Sequence, residues 1–135
     1  MKIIILTQYF PPEVGAPQNR LFELAVRLQQ KGAEITVLTA MPNYPQMSVH
    51  PKYRNKIYIK DELNGMLIHR CWIYCTKSKG IFKRLLNYFS FVFTSFIIGW
   101  LKLKKANYIL CESPPLFLGI SALFLKKLKS AKLIF

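Results

Sequence analysis

The change of hydrophobic period between Ile3 and Thr39 constrains this chain more than any other feature. Ile3-Ile4-Ile5-Leu6 is an unbroken, mostly β-branched run, short enough for a strand buried on both faces. Thr7 to Asn19 follows with Pro11, Pro12 and Pro17, and two adjacent prolines forbid both helix and strand ladder. Leu21, Leu24, Ala25 and Leu28 then fall at i, i+3, i+4 and i+7, the apolar stripe of a helix lying on a sheet. Lys31-Gly32 supplies a cation for the last turn and a C-cap glycine, and Glu34 to Thr39 reads as a second strand. Strand, helix and strand in so short a stretch make a βαβ unit, which predicts two parallel strands and a right-handed crossover.

The loop inside that unit ends near a helix N-terminus, a geometry that suits phosphate. Gly15 is its one residue through which the backbone could approach a ligand without a Cβ in the way, and Pro17 suits a first helical turn. A single glycine is not the dinucleotide fingerprint, so an ordinary strand-to-helix connection stays open beside the phosphate reading.

Ala40 to Tyr53 holds three prolines and reads as a loop over the carboxyl edge of the sheet, the edge that carries ligands in open α/β sheets. Asn43 and Tyr44 are its polar contact candidates, with loop packing as the alternative. Lys56–Asp61 and Met66–Tyr74 flank Leu63-Asn64-Gly65, a strong hairpin signal. Arg70 and Trp72 share a face of the second hairpin strand; exposed, they would suit sugar or phosphate, and otherwise they stack structurally. Asn107 to Cys111 reads as a buried strand, Leu116 to Lys127 as a helix, and Lys132 onward as a further strand. Cys71, Cys75 and Cys111 are odd in number and lack zinc spacing, and Met1 runs straight into a strand, so free thiols, no bound metal and a reducing cytoplasm are expected.

Charge is lopsided. Of a net +14, residues 1–50 contribute +1 and residues 51–135 contribute +13. Such an excess attracts polyanions, either nucleic acid or an anionic membrane. Nucleic acid is disfavoured, because the aromatics sit in an apolar helical stretch and are not interleaved with Lys and Arg. That stretch, Lys79 to Lys105, has no charge between Arg84 and Lys102. Its seventeen uncharged residues reach about 25 Å as a helix, short of the roughly 30 Å hydrocarbon core. Phe82, Leu85, Phe89, Val92, Phe93, Phe96, Trp100 and Leu103 cluster on one side of the wheel, opposite Lys83, Asn87, Ser90, Thr94 and Lys105. The pattern predicts a surface helix, its membrane face being Phe82, Phe89, Phe93, Phe96 and Trp100 with Lys83 and Arg84 at the basic end. Burial under a partner domain and an all-buried core helix are the alternatives.

An ordered set of short motifs carries a resemblance. Gln8-Tyr9-Phe10-Pro11-Pro12-Glu13-Val14-Gly15-Ala16-Pro17 is followed by Arg20-Leu21-x-Glu23-Leu24-Ala25 and by Gly32 to Thr39. Pro42-Asn43-Tyr44-Pro45, Ile68-x-Arg70-x-Trp72, Leu85-Leu86-Asn87-Tyr88-x-Ser90-Phe91 and Ser113-Pro114-Pro115 continue it. Together they resemble the amino-terminal domain of glycosyltransferase family 4 enzymes, within these the bacterial transferases of capsule, exopolysaccharide and O-antigen assembly. The resemblance implies an α/β, Rossmann-like, mostly parallel sheet with helices on both faces and a hairpin insertion, the first half of a GT-B fold. Residues 1–135 would then be the acceptor-side domain, with a carboxy-terminal nucleotide-sugar-binding domain absent and no complete catalytic constellation in this stretch. It further implies transfer, with retention, from a nucleotide-diphosphate sugar to a glycan or lipid-linked acceptor, without cofactor or obligatory metal. Gly15 and Ala16 would form the donor-diphosphate loop, and Asn43, Tyr44, Arg70 and Ser113 the acceptor side of the cleft. The implied location is cytoplasmic, peripheral on the inner face of the cell membrane. A membrane-surface binding module that is not an enzyme is the competing class.

Overall fold

The computed structural model describes residues 1–11, 16–42, 56–75, 80–112 and 118–134, with residues 16–18 described by their backbone only. In chain order the elements are β1 (Lys2–Leu6), α1 (Ala16–Gln30), β2 (Glu34–Ala40), β3 (Tyr58–Leu63), β4 (Met66–Cys71), α2 (Ile81–Lys102), β5 (Tyr108–Cys111), α3 (Leu118–Lys129) and β6 (Lys132–Ile134). They build one six-stranded sheet in the order β3-β4-β2-β1-β5-β6. Every pairing is parallel except the β3–β4 hairpin. This is the mixed α/β, Rossmann-like architecture that the resemblance implies, and its β1–α1–β2 start is the parallel unit that the alternation of periods predicts.

The unbroken Ile3–Leu6 run is explained by burial on both faces. Ile3 and Ile5 face α1, joining Leu21, Ala25, Ile35, Val37 and Ile68 in one core. Ile4 and Leu6 face the other way, into a core with Leu38 and Ala40, Phe91, Val92 and Ile98 of α2, and Leu118, Ala122 and Leu125 of α3. Alternation along a pleated strand divides four consecutive apolar residues between two layers. Each such side chain, fully buried, contributes about 1.5–3 kcal/mol.

The hairpin closes through Asn64 (φ 54°) and Gly65 (φ 79°), the left-handed pair of a two-residue type I′ turn. Gln29 of α1 donates to the Asn64 carbonyl at 3.1 Å and ties the turn to the helix layer. At the end of α1 the chain reverses through Gly32 (φ 97°), with the Ala33 N–H bonded to the Leu28 carbonyl.

Helix α2 corrects the wheel reading in one respect. Its buried residues are Asn87, Phe91, Val92, Ser95, Ile98 and Gly99. The Asn87, Ser90 and Thr94 part of the polar side therefore faces the protein, because those groups have backbone partners there. Asn87 Nδ2 donates to the Tyr74 carbonyl at 2.5 Å, Ser90 Oγ accepts from the Tyr74 N–H at 2.9 Å, and Thr94 Oγ1 donates to the Trp72 carbonyl at 2.7 Å. Val92 and Leu103, placed on the outward stripe, are buried.

The α2–α3 seam is close. The Ser95 and Ser121 hydroxyls lie 2.9 Å apart, and the rings of Phe96 and Phe124 meet edge to face at 5.5 Å. Lys129 of α3 donates to the Trp100 and Leu103 carbonyls, a cation at the carbonyl end of α2. At 22 residues α2 is long enough to cross a bilayer, and among the described residues it is the one helix that is. It joins β4 to β5, however, and those strands share one sheet. A span would place them on opposite sides of the membrane.

Candidate functional site

Strand order fixes where a ligand can enter this sheet. From β1 the chain moves outward through β2 to the β3–β4 hairpin, then returns to the far side of β1 as β5. The reversal puts a topological switch point at the carboxyl ends of β1 and β5, the place where open α/β sheets hold ligands. Leu6 and Cys111 are the last paired residues of those strands, so Thr7 and Glu112 stand first beyond them. The Glu112 N–H bonds to the Leu6 carbonyl at 3.0 Å, and the Thr7 N–H to the Leu38 carbonyl at 3.1 Å.

Held this way, the two side chains meet. Thr7 Oγ1 donates to Glu112 Oε2 at 2.8 Å and accepts from the Tyr9 N–H at 3.3 Å. Glu112 is half-buried. Burial raises its pKa above the usual carboxylate range, while the Thr7 hydrogen bond and the charge of Arg20 pull it back down. A carboxylate shifted upward at a switch point can hold a hydroxyl by hydrogen bond and exchange a proton nearer neutrality than a free side chain.

Gln8 extends the corner inward. It is buried, and its Nε2 donates to Asn87 Oδ1 at 3.2 Å and to Tyr9 Oη at 3.3 Å. The orientation of both amides is fixed, because Asn87 uses its Nδ2 on the Tyr74 carbonyl. Gln8 Oε1 is left buried with no partner among the described residues. The loop after β1 is thus tied to α2 and, through α2, to the segment after β4.

Arg70 takes the structural alternative, through an ion pair and a hydrogen bond in place of stacking. It is 1% exposed, with Nε 3.2 Å from Asp61 Oδ2 and its terminal nitrogen 2.7 Å from the Pro11 carbonyl. Its guanidinium braces the hairpin against the loop after β1 and is not part of an exposed Arg–Trp pair. β4 ends at Cys71, and Trp72, one residue on, is exposed. Ala16 is the first residue of α1. Gly15, Asn43, Tyr44 and Ser113 lie outside the described residues. On α2, Phe82, Lys83, Arg84, Phe89, Phe93 and Trp100 are exposed, whereas Phe96 is half-buried between Trp100 and Phe124. The cysteines are free, with Cys71 and Cys111 buried; burial pushes the Cys111 thiol up to about 12.

No family model matches the chain. A curated relative does. The chain is similar to a glycosyl transferase. It is 30% identical over 135 residues, 99% of its own length, to "Putative colanic acid biosynthesis glycosyl transferase WcaI" of Escherichia coli (strain K12). It spans 33% of the length of that relative. The motif resemblance and this alignment, which takes in nearly the whole chain, both point to glycosyl transferases.

Thr7, Gln8, Asn87 and Glu112 are the site residues that sequence reasoning missed. A signal for Glu112 was present: between Leu63 and Phe135 it is the sole acidic residue, and it directly follows a buried strand. Nothing local marks Thr7 or Gln8, whose role comes from a partner a hundred or so residues away.

Proposed function

We propose that this chain is the acceptor-side domain of a retaining glycosyltransferase of cell-surface polysaccharide biosynthesis. The complete enzyme moves a sugar from a nucleotide-diphosphate sugar to a lipid-linked glycan acceptor. The alignment to the Escherichia coli relative over 99% of the chain carries this reading. In it the nucleotide is gripped by a second domain outside these residues, so the 135-residue chain alone is inactive. The loop with Gly15 and Ala16 brings backbone N–H groups to the departing diphosphate, where a helix N-terminus favours negative charge. At the β1–β5 switch point Thr7 and Glu112 take a sugar hydroxyl, Glu112 as acceptor of its hydrogen bond. Asn43, Tyr44 and Ser113 complete the acceptor wall, and no metal is required.

The proposed location is cytoplasmic, peripheral on the inner leaflet, with the outward stripe of α2 in the lipid and Lys83 and Arg84 on anionic headgroups. Each cation near an anionic surface adds on the order of 1 kcal/mol, a contribution that salt weakens. That stripe also favours a second reading, a membrane-binding module without catalysis. One experiment separates the two. Labelled sugar is offered as a panel of nucleotide-diphosphate donors to the full gene product with a bacterial lipid extract. Label entering the lipid fraction supports the transferase; membrane binding that survives Gly15→Val, with no donor turned over, supports the module.

A further inference from the structure

At the amino edge of the sheet, the edge opposite the switch point, the starts of β1, β2 and β4 and the α2–β5 connector line a cavity of about 100 Å³. Lys2, Lys102, Lys104 and Lys105 border it, with Glu34 as its one carboxylate and His69 as its buried ring. Topology gathers these charges. Helix α2 ends at Lys102 and β5 begins at Tyr108, so Lys104 and Lys105 fall on the short connector that passes the strand starts. Lys2 opens β1 in register with Glu34 of β2. Lys102 is steadied by Tyr58, its Nζ 5.2 Å from the ring centroid, and Tyr58 is bonded in turn to His69 Nδ1 at 2.7 Å. Among the described residues, none of the four lysines lies within ion-pair distance of a carboxylate. Four cations against one anion around a recess focus a positive field on it.

We propose that this cavity binds a phosphate group, as an anion site separate from the switch point. It is about 13 Å along β1 from Ile3, at the cavity, to Thr7, at the corner. The inference needs no part of the transferase reading. Three observations carry it. First, the cavity has the room of about three waters at about 30 Å³ each, which suits one tetrahedral anion and is too little for a nucleoside. Second, the donors fit. Lysine ammonium groups serve phosphate as point charges, and His69 adds a directed group. Its Nδ1 is used on Tyr58, and its Nε2 has no hydrogen-bond partner among the described residues. With Tyr58 Oη donating to Nδ1, the ring proton sits on Nε2, where it can donate to an oxyanion without the ring being charged. A bound phosphate therefore selects that tautomer. Burial, then the charges of Lys60 and Lys102, lower the His69 pKa to about 4, the direction a positive field gives. Third, the one feature opposing an anion is already offset. The carbonyl end of α2 lies beside the cavity, and its dipole disfavours negative charge. Lys129 donates to the Trp100 and Leu103 carbonyls and takes up that end. The phosphate can belong to a soluble ester or to a lipid headgroup, since both present the same group.

Nitrogen NMR of the purified protein labelled in its histidine rings tests this, with the His69 signals assigned by their loss in His69→Gln. Inorganic phosphate is titrated at constant ionic strength against sodium chloride. Expected is a saturable movement of His69 Nε2 toward the protonated position, with Nδ1 moving the opposite way. Lys102→Gln with Lys104→Gln, both exposed positions, should weaken binding about tenfold and reduce its salt dependence. Lys126→Gln with Lys127→Gln, the same loss of charge on α3 and outside the cavity, should leave it unchanged. Glycerol phosphate, and phosphatidic acid in phosphatidylcholine vesicles, then separate the sources. A response to glycerol phosphate supports a soluble ester, and one confined to the vesicles supports a lipid headgroup. No saturable His69 response to phosphate in any of these forms overturns the proposal. So does an equal response to chloride, or equal weakening by the two lysine pairs, in favour of diffuse surface charge. Loss of the His69 response in Gly15→Val overturns it as well, in favour of the loop at the carboxyl edge.

Discussion

Gln8 and Asn87, 79 residues apart in sequence, are joined by a 3.2 Å side-chain hydrogen bond that fastens the loop after β1 to the crossover helix. Both are buried, and Asn87 also serves the Tyr74 carbonyl. Replacing Asn87 with Leu takes the partner from Gln8 Nε2 and from the Tyr74 carbonyl, which costs about 2–6 kcal/mol at about 1–3 kcal/mol for each. Urea denaturation should show this loss. Gln8→Leu in the Asn87→Leu background should cost less than it does alone, because its partner is already gone. Full additivity would mean the bond contributes nothing.

His69 gives a pH dependence of known sign. Its Nδ1 lies 2.7 Å from Tyr58 Oη, in a hydrogen bond whose donor is set by the ring tautomer. Burial, with the charges of Lys60 and Lys102, lowers its pKa to about 4. The unfolded chain binds that proton near 6.5. Stability is therefore full above about pH 6.5 and falls as pH drops toward 4, by an amount on the order of 3 kcal/mol at most. His69→Gln should flatten this limb in chemical melts at stepped pH; an unchanged limb would assign it to other groups.

A third expectation concerns Gly99, where α2 packs against Leu125 of α3. A Cβ there would meet the Leu125 methyls at 2.8 and 2.9 Å and Leu38 Cδ2 at 3.2 Å. Alanine gains about 1 kcal/mol of helix propensity. Overpacking costs about 1–3 kcal/mol, because Leu125 is fully buried and has no open space to move into. Gly99→Ala should be net destabilising by about 1 kcal/mol. Gly99→Ala with Leu125→Val should lose less than the sum of the two single changes, as read from the shift in thermal midpoint.

Most of the fold was legible in the chain because its determinants are local. Ile3–Leu6 could only be a doubly buried strand, Asn64-Gly65 could only turn tightly, and a stripe at 3.6 spacing marked α1. The site was less legible because its determinants are long-range. Arg70 read either as an exposed recognition residue or as a structural one, and Asp61 with the Pro11 carbonyl decides for the structural role. The wheel of α2 showed two faces but not which one the protein would claim. Asn87, Ser90 and Thr94 decided that through backbone groups after β4, partners that no periodicity contains.

The measurement that reaches furthest is the pH–rate profile of sugar transfer by the full gene product with Glu112 intact and with Glu112→Gln. Thr7 and Glu112 stand together at the switch point, and burial raises the Glu112 pKa. Wild type should lose activity on an acid limb placed above the ordinary carboxylate range. The glutamine variant should lose that limb, with kcat/KM at neutral pH about a hundredfold lower and an unaltered thermal midpoint. An unchanged profile and rate in Glu112→Gln would contradict the placement of the acceptor sugar at this corner.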